Sequence, residues 1–228
     1  MDNKYKIRSQ HTLGLVRNLL GQGVDRISLV LRHSDRHYSD NPWLEPFMGL
    51  NDSGKDYAFD LGKSFPLDLT PVLFSSHFSR CVETAYLIDK GFTSITGRHL
   101  PHTILDKVLT PFYVKDIVTA KKMITKTGAG QFVLNWFDKI IDESIMLDPE
   151  FTAGRITDFM ISRLKELSPG QVAICVTHDW NIFPIKRFTL RLSHEDALDA
   201  GYLDAMAFFE KDARVFVVAR QFDPVEIV

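Results

Sequence analysis

The stretch RISLVLRHSDR, residues 26–36, decides the fold. Residues 26–31 are a mostly apolar run of strand length, and polarity then breaks at once into Arg32-His33-Ser34-Asp35-Arg36, with no ordinary turn sequence between. A strand buried on both faces reads as a nearly continuous apolar run, where a half-exposed strand alternates. The run therefore belongs inside a sheet with both faces covered, and it delivers a cluster of cations at its carboxyl end.

Two further runs repeat the arrangement. PVLFSS (71–76) ends in His77-Phe78-Ser79-Arg80, and QVAICVT (171–177) ends in His178-Asp179-Trp180-Asn181. Helical patterns fill the intervals. KYKIRSQHTLGLVRNLLGQG (4–23) carries Ile7, Leu15 and Leu19 at helical spacing and stops at Gly21 and Gly23; a second helix is capped near Asn51 or Asp52; a third, SRCVETAYLIDKG (79–91), is closed by Gly91. After a short edge strand around 103–108, Thr110 and Pro111 open a helical stretch. GQFVLNWFDKIIDESI (130–145) and AGRITDFMISRLKEL (153–167) extend it, so that 111–167 reads as almost wholly helical. The end of the chain is a hairpin turning at Lys211 to Ala213. Strands interleaved with helices predict an α/β fold with a doubly wound, mostly parallel sheet, and the helical block is a cap or a longer crossover.

Composition narrows the partners. The chain has 228 residues, 45% of them hydrophobic, enough for one sizeable core, and no repeat, low-complexity tract or linker divides it. A net charge of -2 gives no whole-molecule field to attract nucleic acid or an anionic membrane, so neither is an expected partner. The charged N-terminus lacks the apolar core of a secretory signal, and no eighteen apolar residues run together, so a cytoplasmic location is expected. Cys81 and Cys175 form neither a disulfide framework nor a zinc pattern and read as buried thiols.

If the three strands are parallel neighbours, their polar ends meet in the crevice where open α/β sheets bind ligands. That crevice holds Arg32, Arg36 and Arg80, His33 and His178, and Asp179. Converging guanidiniums leave a deficit of negative charge that a phosphate fills with bidentate hydrogen bonds, and a helix starting at Ser79-Arg80 adds free amides. Like charge nearby keeps a histidine neutral and nucleophilic. Asp179, if held protonated, is placed to give a leaving alkoxide its proton. His37 lies four residues from His33, but no third ligand stands at fixed spacing, so no metal and no cofactor are expected.

Four segments in order carry a family resemblance: RHSDR against R-H-G-x-R, LNDSGKDYAFDLG against L-T-x-x-G-x-x-x-A-x-x-L-G, LFSSHFSRCVETA against S-S-x-x-x-R-x-x-x-T-A, and VTHDWN against H-D-x-N. In these the chain resembles the histidine phosphatase superfamily, which contains phosphoglycerate mutases and histidine acid phosphatases. Residues 26–91 and 171–182 carry the match. The resemblance implies a three-layer α/β/α sandwich in which residues 1–228 form one domain with a helical insertion at about 106–167. It also implies that His33 is the nucleophile and that Arg32, Arg36, Arg80 and His178 form the phosphate pocket.

Ser34 stands where the family usually has glycine, and His77 where proline is common. One branch of the family takes its acid from H-D, which is Asp179 here, while the mutase-like branch takes it from the region where Asp106 falls. The expected activity is metal-independent hydrolysis of a small phosphorylated substrate through a phosphohistidine, with Asp179 as the acid. A phosphomutase and a non-catalytic phospho-ligand module are the alternatives. Specificity is expected from residues 106–167, His77 and Trp180, and these motifs carry neither substrate identity nor oligomeric state.

Overall fold

In the computed structural model, which describes residues 7–227, the three apolar runs are neighbours. Strand β1 (Arg26–Arg32) pairs in parallel with β4 (Gln171–Thr177), and β4 pairs in parallel with β2 (Thr70–Ser75). Arg32 lies opposite Thr177, and Ser75 opposite Val176, so the three strands end level with one another. Beyond β2 lies the short β3 (Ile104–Leu105). Beyond β1 lie β5 (Ala205–Lys211), β6 (Arg214–Ala219) and β7 (Val225–Glu226), giving the order β3-β2-β4-β1-β5-β6-β7. The sheet is mixed and mostly parallel, since only β5 and β7 oppose the direction of the rest.

Strand residues divide between two cores with period two. Ile27, Leu29 and Leu31 of β1, with Val172, Ile174 and Val176 of β4, pack under α1 (Ser9–Gly21), α2 (Asp52–Lys63) and α3 (Ser79–Thr96). Val30, Phe74, Ala173 and Cys175 face the opposite side. There they meet α5 (Ala129–Phe137), α6 (Pro149–Glu166) and α7 (Asp179–Pro184). Each large apolar side chain buried this way contributes roughly 1.5–3 kcal/mol, so a one-residue slip of β1 would forfeit several such terms at once. Register is thereby held by the cores, and with it the height at which each polar strand end emerges.

Helix boundaries depart from the sequence pattern in instructive places. Helix α1 begins at Ser9; residues 4–6 of the predicted helix lie outside the described residues. Helix α2 is capped as expected, Asn51 Oδ1 accepting from the Gly54 amide at 2.8 Å. Helix α3 does not close at Gly91 but runs on to Thr96 and ends on Gly97, whose φ is 66°. Gly91 serves close packing instead, because a Cβ there would stand 2.1 Å from the Phe59 carbonyl oxygen of α2.

The helical block is also less helical than its periodicity implied. Residues after Pro111 stay irregular until α4 (Ile117–Thr127), where Asp116 caps the amides of Val118 and Thr119. Helix α5 stops at Phe137, and α6 starts early because Asp148 caps it with Pro149 in the first turn. A short α8 (His194–Ala197) completes the α-helices of the described residues, and no helix among these residues is long and apolar enough to cross a membrane.

Candidate active site

Arg32, His33, Arg36, Arg80, His178 and Asp179 all line one cleft of about 410 Å³ at the carboxyl ends of β1, β2 and β4. Each arrives by the shortest route: Arg32 is the last residue of β1 and His33 the next, while His178 follows β4 directly and Asp179 opens α7. Arg80 sits in the first turn of α3, whose N-terminus has no side-chain cap. His33, Arg32 and His178 are at most 3% exposed and Arg80 is 6% exposed, so these polar groups must satisfy one another.

Their hydrogen bonds fix the tautomers. His33 Nδ1 lies 2.7 Å from the Ser34 carbonyl oxygen, which can only accept, so Nδ1 carries the proton. Nε2 is then a lone pair, and Arg80 Nε donates to it at 3.2 Å. Arg80 Nη2 donates to His178 Nδ1 at 3.2 Å, which leaves His178 Nε2 as the donor to Ser76 Oγ at 3.0 Å. One guanidinium therefore touches both imidazoles. Burial, then the charge of Arg80, holds both histidines well below the usual imidazole range, with Arg32 adding at His33 and Arg36 at His178.

The remaining charges come in pairs. Arg32 Nη2 meets Asp179 Oδ2 at 3.0 Å while its Nη1 donates to the Ala200 carbonyl at 2.8 Å and its plane lies 4.3 Å over the Tyr202 ring. Asp179 Oδ1 accepts from the Trp180 amide at 2.9 Å. Arg36 Nη1 donates to Glu45 Oε2 at 2.7 Å. Asp106 stands elsewhere: it caps the turn at Lys107–Leu109, accepting from the Val108 amide, and does not line the cleft. His37 and His77 are exposed and also stay out of it, the His77 ring resting on the Thr110 hydroxyl.

No protein-family model matches the chain, and no curated protein does. Solved structures do. Bacillus stearothermophilus YhfR superposes with a TM-score of 0.60 at 15% identity, covering 85% of this chain and 95% of that one. Phosphoglycerate mutase from Bacillus anthracis gives 0.56 at 17% identity, covering 86% and 93%. A mycobacterial glucosyl-3-phosphoglycerate phosphatase gives 0.53 at 17% identity, covering 80% and 89%. The fold is that of the histidine phosphatases.

On the histidine phosphatase fold, several motif residues gain a physical role that their types alone did not announce. Thr84 Oγ1 donates to the Arg80 carbonyl at 2.7 Å and accepts from the Ser34 amide at 3.1 Å, tying the loop behind His33 to α3. Gly54 lets α2 press on that same loop, for a Cβ would stand 1.9 Å from the Asp35 carbonyl oxygen. Asn181 joins the cap to the sheet, donating to the Val108 carbonyl and accepting from the Tyr113 hydroxyl.

Ser34 keeps an ordinary backbone, absent from the left-handed residues, so the loop tolerates its side chain; it contributes its carbonyl, and its hydroxyl is buried without a hydrogen bond. Cys81 Sγ lies 3.6 Å from His178 Nε2, and burial pushes its thiol up to about 12, which makes it inert packing.

Glu45 was not foreseen. It lies on a single 3-10 turn, Glu45–Phe47, with its carboxylate on Arg36 and the Ser39 amide and its carbonyl accepting from Arg80 Nη1 at 2.8 Å. No periodicity or motif marks it, because its partners come from two other segments.

Proposed function

We propose that the chain is a metal-independent phosphomonoester hydrolase working through a phosphohistidine on His33. The observation that carries this reading is the tautomer lock: with Nδ1 committed to the Ser34 carbonyl, the His33 Nε2 lone pair faces a pocket of three guanidiniums. A phosphate entering that pocket takes over the Arg80 Nε–H now spent on Nε2, and frees the nucleophile as it binds. Nε2 then attacks phosphorus in line while the ester P–O bond breaks, charge on the equatorial oxygens being held by Arg32, Arg36 and Arg80, with His178 completing the pocket and steadying the Arg80 fork through its Nδ1.

Asp179 is the acid in this reading, and it comes before Asp106 because it lines the cleft and Asp106 does not. Its ion pair with Arg32 is one that the incoming phosphate competes for. Freed from it, the carboxylate takes up a proton from solvent and passes it to the leaving alkoxide as the P–O bond breaks, then takes a proton from the water whose oxygen displaces Nε2 from phosphorus.

The test is turnover of a generic aryl phosphate with capture of the labelled enzyme by alkaline denaturation. His33→Ala is expected to lose roughly 10⁴-fold or more in kcat and to take up no label. Full activity in that variant overturns the mechanism. Chelator is expected to leave the rate unchanged, and loss restored by added metal overturns metal independence. The phosphoglycerate mutase neighbour supports the phosphomutase alternative, for which the discriminating product is an isomerised phosphate ester in place of inorganic phosphate. Binding of phosphate with no turnover of any ester selects the non-catalytic module.

A further inference from the structure

Resting on the hydrolase reading, we propose that the substrate is a phosphomonoester whose phosphate is its sole anionic group and whose leaving group is apolar and about the size of one aromatic ring. Two observations on the cleft carry this, one of charge and one of surface. Among the described residues, the lining holds four cations, Arg32, Arg36, Arg80 and Lys121, against three carboxylates, Asp40, Glu45 and Asp179. The two histidines of the floor add no charge, being held neutral by burial and by Arg80. With Asp179 carrying the proton it delivers, two positive charges are left over. A phosphate monoester brings about -1.5 to -2 near neutral pH, which uses them up. A second anionic group on the same substrate enters a cleft that the phosphate has neutralised and that Asp40 and Glu45 also line.

The surface facing the floor is apolar. Val114, Ile117 and Ile124 come from the segment around α4, and Trp180 and Phe78 flank the pocket from the strand ends. Trp180 is held in place by stacking on Phe132, centroids 5.6 Å apart and planes 22° apart, so it offers a rigid face beside Asp179. Because Asp179 protonates the leaving oxygen, the group bonded to that oxygen lies beside Trp180. The cleft's 410 Å³ falls within the range of small-molecule sites and leaves room for a ring beyond the phosphate. Lys121 is the sole cation among the cap residues that line the cleft. The wall thus differs from what phosphoserine or a phosphoglycerate requires, each of which carries a carboxylate beside its phosphate.

The test compares alkyl phosphates, so that intrinsic leaving-group reactivity does not decide the outcome. Initial rates of the full chain are measured on benzyl phosphate, glycerol 2-phosphate, phosphoserine and 3-phosphoglycerate, and dissociation constants on benzylphosphonate and phosphonoacetate. Benzyl phosphate is expected to exceed phosphoserine and 3-phosphoglycerate in kcat/KM by on the order of tenfold or more, and benzylphosphonate to bind tighter than phosphonoacetate by a similar factor. Ile117→Lys is expected to shrink the kcat/KM ratio of benzyl phosphate to phosphoserine by about tenfold, and Trp180→Ala to raise KM for benzyl phosphate more than for glycerol 2-phosphate.

Hydrolysis of phosphoserine or 3-phosphoglycerate as fast as benzyl phosphate overturns the inference while leaving the hydrolase reading intact. Absence of turnover on every ester, with benzylphosphonate still the tighter ligand, overturns the hydrolase reading and leaves the specificity standing. Equal or weaker binding of benzylphosphonate overturns the specificity in either case.

Discussion

The floor and the wall of the cleft are built on opposite principles. On the floor nearly every polar atom has a named partner: Arg80 alone joins His33, His178 and the Glu45 backbone, and Ser76, Thr84 and the Ser34 carbonyl hold the groups around it. The wall, from Val114 to Ala129, meets the cleft with aliphatic side chains and the single amine of Lys121. A hydrogen-bonded network specifies one geometry and loses much when a member is removed, whereas an apolar surface tolerates change and grades its effects by area. Chemistry assigned to the floor should therefore fail abruptly under substitution, and specificity assigned to the wall should drift.

The sharpest break is at Arg80. Arg80→Lys keeps the charge but cannot reach both imidazoles with a rigid fork, so kcat/KM is expected to fall by roughly 10²–10³-fold on every substrate alike; a loss confined to one substrate would move Arg80 from floor to wall. Next comes the acid. Asp179→Asn is expected to cost about 10²–10⁴-fold on an alkyl phosphate and much less on an aryl phosphate with a good leaving group, whereas Asp106→Asn, which keeps its capping oxygen, should leave both rates near wild type. The reverse pattern in steady-state rates would transfer the role to Asp106.

Smaller is the pH dependence of stability. Both buried histidines have folded-state values below the ordinary one, so the unfolded chain takes up protons from about pH 6.5 downward while the folded chain does not. Stability is therefore expected to fall as pH drops from 7.5 to 5.5, by on the order of 1 kcal/mol per pH unit per histidine once below that point. Urea midpoints should show this, and His33→Asn, which keeps a donor for the Ser34 carbonyl, should show a shallower slope.

How far the sequence was readable follows the same division. The floor was legible because three apolar runs each stop abruptly at a histidine or arginine, and parallel pairing with level ends is what such buried runs do. Glu45 was not legible, since a lone acid on a 3-10 turn acquires meaning only from Arg36 and Arg80 in space. Gly91 misled because glycine ends helices and also lets them touch, and the sequence does not say which. The wall was the least readable part, for Pro111 offered a helix start that Asp116 supplies six residues after Thr110.

The sheet order carries a consequence for how the molecule comes into being. The strand leading to His33 and the strand leading to Arg80 never touch, because β4, from residues 171–177, lies between them. A growing chain holds the nucleophile and its guanidinium long before it holds the strand that brings them together. Until then β1 and most of β2 present open apolar edges, a state prone to mispairing, and this topology of distant contacts folds slowly. Fragments ending before residue 171 would contain Arg32, His33, Arg36 and Arg80 and yet have no pocket.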